Sequence, residues 1–408
     1  MASFWQHIRS GDWLTAERRR VYPLIVLALA VIVSLFWVAT SDRLIDRVGS
    51  PIGTDFSNVY AAGTQVRAGE LAAVYDPARQ HQAEIALFDG RFVPFYGWHY
   101  PPMFLFVAAV LALLPYGWAL LVYMAVTFAA YLATLRAILP RPQTLLVAAA
   151  FPAVFVNLGH GQNGFLTAAL IGGALLLLDR RPAVAGILIG LLAYKPQFGV
   201  LIPLVLIASA RWRTFAAATA TVIVECGLAL TVFGREVWVA FAGSAHFTRT
   251  VVLEEGQTGW HKIQSLFSAV RIWGGTLDLA YGAQLGLGVG LAATLVWLWR
   301  SDARFDLKAA ALVTASLLAT PYMLDYDLVA LAVAGAFFVR HGLANGFRDF
   351  EITALAFAWL APLVARTVAG ATGVPLGLLA MLLLYALTLR RAAADLAEAQ
   401  GRERLVEA

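Results

Sequence analysis

Long apolar runs separated by short clusters of arginine set the pattern of this chain, and they recur from about residue 21 almost to its C-terminus. A helix needs roughly 20 apolar residues to cross a hydrocarbon core about 30 Å thick, because each residue adds about 1.5 Å. The first such run covers 22–40, directly behind Arg18, Arg19 and Arg20. Further runs fall near 143–158, 163–179, 183–194, 197–210, 213–233, 278–299, 306–320, 325–340, 350–366 and 371–389. Several are shorter than about 17 residues, so those helices are expected to be tilted, broken or shielded by neighbours. The segment 101–136 is too long for one span and too short for three, and Pro115-Tyr116-Gly117 interrupts it. The charge pattern favours an odd number of crossings there. The pattern as a whole predicts an all-α polytopic membrane protein with about 11–13 transmembrane helices.

Arginine and lysine mark cytoplasmic loops. The three arginines before the first run therefore place the N-terminus, 1–20, in the cytoplasm, and Arg180-Arg181, Arg211 with Arg213, Arg300 with Arg304 and Lys308, Arg340 with Arg348, and Arg390-Arg391 mark later cytoplasmic turns. The membrane domain is then 21–391, with 41–100 as its first extracytoplasmic loop and 392–408 as a charged cytoplasmic tail. No A-x-A site ends the first run, which reads as a retained signal anchor. The same alternation puts 159–163, 194–197, 234–277 and 321–325 on the outer face, where most of the histidines and the polar residues beside Gly and Pro collect. That asymmetry points to an extracytoplasmic site.

Composition narrows the class. Of 408 residues, 60% are hydrophobic and 13% charged, with mean hydropathy +0.73, where a soluble chain carries about 25% charged residues. The net charge of +5 lies in the clusters between spans, with no basic stripe interleaved with aromatics, so no nucleic-acid partner is indicated. The single cysteine, Cys226, allows no intramolecular disulfide. Neither a His-Glu-x-x-His nor a Cys cluster suggests a metal, and no Gly-x-Gly-x-x-Gly suggests a nucleotide fold.

Several residues could carry chemistry. Asp55 follows the first span in apolar and aromatic company. It could serve as a general base toward a hydroxyl or as the N-cap of the next helix. Lys195 interrupts an apolar run at the outer surface, as a phosphate ligand or as a snorkelling side chain. His99, His160, His246, His261 and Lys262 are further candidates for phosphate or sugar contact, and Arg235 and Arg249 could also pair with phosphate. Tyr322, Asp325, Tyr326 and Asp327 pair acids with phenols, suited to sugar hydroxyls or to capping. Gln162 and Asn163 offer both donors and acceptors, whether to a sugar or to the backbone at a helix break. Glu225, in mid-run, is assigned to no site.

The order of several short motifs adds a resemblance. Asp55-Phe56 with Tyr60, then Gly69 to Tyr75-Asp76, Tyr100-Pro101-Pro102, Gly161-Gln162-Asn163, Ala185-Gly186 to Gly190 leading into Lys195-Pro196, and Pro321 with Tyr326-Asp327 follow one another over 55–328. In order and spacing this resembles glycosyltransferase family 87, a bacterial group within the GT-C membrane glycosyltransferases. The resemblance implies a GT-C-type bundle with a helical first extracytoplasmic loop. It implies transfer of a sugar, mannose in the family's known members, from a polyprenyl-phosphate carrier to an acceptor hydroxyl on a glycolipid or polysaccharide. Asp55 matches the expected base. Lys195, His99, His261 and Lys262 would then face the donor phosphate, and Tyr100, Gln162, Asn163, Tyr322, Asp325 and Tyr326 the sugar or acceptor. The lipid-linked donor is the substrate and no separate cofactor is implied. The site would face the periplasm from a bacterial inner membrane, among membrane lipids. Asp325 stands where family members often carry His, which departs from the pattern. A transporter or lipid-linked-sugar flippase is the competing reading.

Overall fold

A computed structural model describes residues 2–407. Among them every regular element is helical, from Ala2–Ser10 to the 32-residue helix Leu376–Glu407. Six helices are long and apolar enough to cross a membrane: Arg18–Ala39, Tyr116–Ile138, Trp212–Phe233, Leu277–Arg300, Asp325–Asn345 and Leu376–Gly401. A seventh candidate is the pair Glu351–Leu363 and Ala365–Thr372, bent by 76°. The remaining expected spans are shorter helices, Pro102–Leu111, Gly164–Leu177, Pro182–Tyr194, Pro196–Ala208 and Phe305–Leu318, or are interrupted. The expected 143–158 run divides into Thr144–Ala149 and Pro152–His160, because a proline is accepted at the first helical position but not in a helix interior. The chain is thus all-α and polytopic as expected, with fewer full-length spans than the sequence count of about 11–13.

The ambiguous segment 101–136 resolves at Pro115. Tyr116–Ile138 makes one full span, and Leu105–Leu111 is a short helix packed on Phe56–Ala68 of the first loop. That contact is very close. A Cβ on Gly63 would lie 2.1 Å from the Ala108 carbonyl oxygen, so only glycine lets the first-loop helix rest on the bundle there.

The core centres on Phe305–Leu318, whose residues from Ala309 through Leu318 are all buried. Its alanines and serine let Leu331–Asn345, Leu376–Glu407 and Leu277–Arg300 approach closely. Arg18–Ala39, by contrast, buries little of its surface in the protein. The two ends of the bundle differ. At one, the N-terminal segment and the start of Glu351–Leu360 meet through Arg9–Asp349, with the buried pair Arg391–Glu351 beside them. Thr353 accepts there from Trp13 and donates to the Ile8 carbonyl. At the other end the first loop covers the bundle, and the chain from Glu351–Leu363 arrives there at Ala365–Thr372.

Candidate active site

Asp55 precedes Phe56–Ala68 at the capping position, yet its side chain makes no capping hydrogen bond. Backbone carbonyls take that role: Phe56 N–H donates to Gly53 and Ser57 N–H to Thr54. The carboxylate is left free to face the interior of the site. The N-cap alternative for Asp55 is therefore set aside. Asp76 is the acid that caps, its Oδ1 accepting from Ala78 and Arg79 N–H at 2.9 and 3.1 Å. Its neighbour Tyr75 donates to the Tyr100 carbonyl at 3.1 Å and fixes the approach to the Tyr100-Pro101-Pro102 turn.

The turn after Pro152–His160 brings the partners of Asp55. Gly161 ends that helix at φ +60°, and a Cβ there would stand 2.6 Å from Cβ of Phe56. The left-handed conformation and the close approach both demand glycine. Beside it, Gln162 Nε2 donates to Asp55 Oδ2 at 2.9 Å. The orientation of this amide is set from behind, since Gln162 Oε1 accepts from Tyr100 OH at 3.0 Å and from Asn163 N–H at 3.1 Å. Asn163 Nδ2 in turn donates to Tyr100 OH at 2.8 Å. The Asn163 amide oxygen is buried without a protein partner.

His160 stands on the other side of Asp55. Its Nδ1 lies 2.8 Å from Thr54 Oγ1 and 3.7 Å from Asp55 Oδ1. Its Nε2 lies 2.8 Å from Nη2 of Arg366. Arg366 is clamped by Asp325, Nε to Oδ2 at 2.5 Å and Nη2 to Oδ1 at 3.0 Å. Asp55 and His160 keep about a fifth of their side-chain surface exposed, at 18% and 19%, and Asp325 only 3%. Asp55 and His160 are sheltered but reachable.

Lys262 closes the cluster. Its loop is clipped to the 321–327 segment by the Ile263–Leu324 bridge and by Gln264 N–H donating to the Met323 carbonyl at 2.7 Å. The ammonium is half-buried. Burial and the nearby Arg366 lower its pKa, while Asp55 and Asp325 raise it less. Among the described residues it has no hydrogen-bonded or ion-paired partner. Burial also raises the Asp55 carboxyl, but His160, Gln162 and Lys262 outweigh it and hold Asp55 below the usual 3.8. Asp55 is ionised at neutral pH.

The other sequence candidates lie at graded distances from this centre. His261 packs beside Ala365–Thr372, and burial with Lys262 and Arg366 lowers its pKa. His99 Nδ1 is 2.7 Å from Thr248 Oγ1, and its ring is 6.2 Å from that of Tyr322. Burial pulls His99 down to about 4, with Asp55 opposing, so it offers a neutral ring rather than a charge. Tyr326 is buried, 5.8 Å ring to ring from His160. Lys195 sits at the break between Pro182–Tyr194 and Pro196–Ala208, buried, with Nζ 2.7 Å from Asp327 Oδ1. Snorkelling is excluded by that burial, and a phosphate could reach Lys195 only by opening the pair with Asp327. Arg366 is the residue that sequence reasoning missed. The signal was a lone arginine at the end of the 350–366 run that the charge pattern assigned to the outer face, against the inward bias of positive charge.

Glu84 lies fully buried on Pro77–Ala86, with Oε2 accepting from Tyr96 N–H at 3.0 Å. Burial raises its carboxyl to about 9, the Tyr96 bond opposing and the Asp55 charge adding. The folded protein thus keeps a proton that the unfolded chain releases above about 4.5, and Glu84 favours folding less and less as pH rises through that interval. The slope is at most about 1.4 kcal/mol per pH unit. Glu84→Gln cannot ionise and is expected to flatten this dependence. Thermal denaturation in detergent at about pH 5 and about pH 8 checks it, and equal slopes in both proteins would rule the account out.

A family model described as glycosyltransferase family 87 matches residues 98–321. The matched region begins after Asp55 and takes in Gln162, Lys195 and Lys262, while Asp325 and Arg366 lie beyond its end. No curated protein matches the chain. No solved structure matches it either.

Proposed function

The chain belongs to glycosyltransferase family 87 and is a multi-pass membrane glycosyltransferase, and from that premise we propose that it moves mannose from a polyprenyl-phosphate carrier to an extracytoplasmic hydroxyl with Asp55 as base. The acceptor is a glycolipid or polysaccharide at the outer face of a bacterial inner membrane. What carries the proposal is an ionised, partly exposed carboxylate at Asp55, held by Gln162 at 2.9 Å, with the half-buried ammonium of Lys262 within electrostatic range of it.

Those two groups meet the two needs of the reaction. The acceptor oxygen forms a bond to the anomeric carbon while the bond from that carbon to the phosphate oxygen breaks. The phosphate leaves with the electron pair, and the acceptor proton passes to Asp55. A base must lie within hydrogen-bond reach of the hydroxyl, and fixed cationic donors must meet the charge growing on the phosphate in a site with little water. Lys262 supplies that charge, with His261 and the neutral His99 ring as further contacts for the donor. Gln162 holds Asp55, and Tyr100, Asn163, Tyr322, Asp325 and Tyr326 are the residues assigned to sugar and acceptor.

Membranes containing the protein are expected to transfer label from radiolabelled polyprenyl-phosphate mannose and not from nucleotide-linked mannose. Transfer from the nucleotide donor alone would overturn the carrier assignment. Lys262→Met is expected to raise the donor KM about tenfold or more, the loss of a charge-assisted contact of about 1.5–3 kcal/mol. Initial rates across donor concentrations read this directly, and an unchanged KM would remove Lys262 from the phosphate.

A further inference from the structure

Arg366 has no part in the reaction as described, yet it touches His160 and Asp325 at the centre of the site. We propose that Arg366 is a positioning residue that locks His160 as a neutral ring with its proton on Nδ1, leaving Asp55 as the sole base. The proposal rests on the reading of Asp55 given above.

The argument is one of donors and acceptors. A guanidinium carries only N–H donors, so the 2.8 Å contact from Arg366 Nη2 requires a lone pair on His160 Nε2. Arg366 cannot turn away to avoid this, because Asp325 holds its Nε and Nη2 together. In a neutral imidazole the proton must then sit on Nδ1. That nitrogen faces Thr54 Oγ1 at 2.8 Å and Asp55 Oδ1 at 3.7 Å, both able to accept.

Two consequences follow for the chemistry. His160 cannot take the acceptor's proton, since its only lone pair is engaged by a cation. A second proton on the ring would set an N–H against the guanidinium. The charged groups around this ring are Asp55 from the first loop, Arg366 from Ala365–Thr372 and Asp325 beyond it, with Lys262 close to all three. The ring of Tyr326 lies 5.8 Å from it, centre to centre. The His160 N–H therefore donates to Thr54 Oγ1 at 2.8 Å, and the neutral ring stands beside Asp55 without competing with it for the proton.

Ring-15N-labelled histidine in the full chain, reconstituted in lipid nanodiscs, reads the lock directly. The chain has seven histidines, and a His160→Asn sample assigns the signal. The expected wild-type pattern is a protonated Nδ1 and an unprotonated Nε2. Arg366→Met is expected to lose this pattern, and Arg366→Lys, which still donates, to keep it. A wild-type His160 protonated on Nε2 or on both nitrogens overturns the proposal, as does an unchanged pattern in Arg366→Met. Should that variant not fold, the wild-type spectrum alone still decides.

In transfer assays Arg366→Met is expected to lower kcat by about a hundredfold, the scale of a group misplaced by about 1 Å, with donor KM unchanged. A raised donor KM at unchanged kcat would assign Arg366 to the phosphate and overturn the positioning role. Failure of the wild type to transfer would count against the proposed function, while the nitrogen spectrum would still test the lock.

Discussion

Asp55→Asn is expected to lower transfer by about 10²–10⁴-fold, the usual contribution of a positioned general base, while the protein still folds and inserts. The substitution is close to isosteric, and the new amide oxygen still accepts from Gln162 Nε2, which holds Asp55 at 2.9 Å. What is lost is the ability to take a proton. The effect should fall on kcat, because the donor phosphate is met by other groups. The wild type also has a distinctive acid limb. Asp55 works as the carboxylate, and its pKa lies below the ordinary 3.8, the neighbouring side chains outweighing burial. Transfer should hold through neutral and mildly acidic pH and fail only as pH falls through that lowered value. Rates from radiolabelled polyprenyl-phosphate mannose in matched membranes check both points. Equal transfer by the two proteins would remove Asp55 as base.

The membrane character and the helical class were legible in the runs of apolar residues, because span length is set by a property of the bilayer that composition reports directly. The number of full spans was less legible. Pro152, in the run 143–158, and the 76° bend in 351–372 divide segments that hydropathy alone reads as continuous. At the site, the first-loop acid was visible, but its use was not. Whether Asp55 caps its helix depends on whether backbone carbonyls reach the first N–H groups, and Gly53 and Thr54 do so. Gln162 was visible as a polar residue on the outer face, yet its contact with Asp55 spans 107 positions. Arg366 lies 206 positions from His160 and 41 from Asp325. Pairings at such separations are products of packing, and a single sequence contains no local periodicity that encodes them.

Lys195 shows the same limit and yields the largest expected effect on stability. Read along the sequence it is an isolated cation at a helix break; in the fold it is one half of an ion pair with 5% and 2% of the two side chains exposed. Its ammonium also lies 5.1 Å from the Tyr326 ring centre and 5.6 Å from that of Phe198. Lys195→Met removes the cation and leaves Asp327 buried and unpaired, which typically costs about 3–5 kcal/mol. The same reasoning predicts rescue. Lys195→Met combined with Asp327→Leu removes both charges, and replacing a buried pair by apolar groups is often neutral or stabilising. The double variant should therefore melt near the wild type in detergent, while the single variant melts well below it. Donor KM in the double variant then separates structure from binding. Recovered stability with wild-type KM makes Lys195 a brace that joins the break after Tyr194 to the 325–330 turn. Recovered stability with a raised KM would return it to the phosphate, and would mean that the pair with Asp327 opens when donor binds. The geometry favours the brace, since Asp327 also accepts from Leu324 N–H at 3.3 Å and opening the pair would strand a carboxylate in the core.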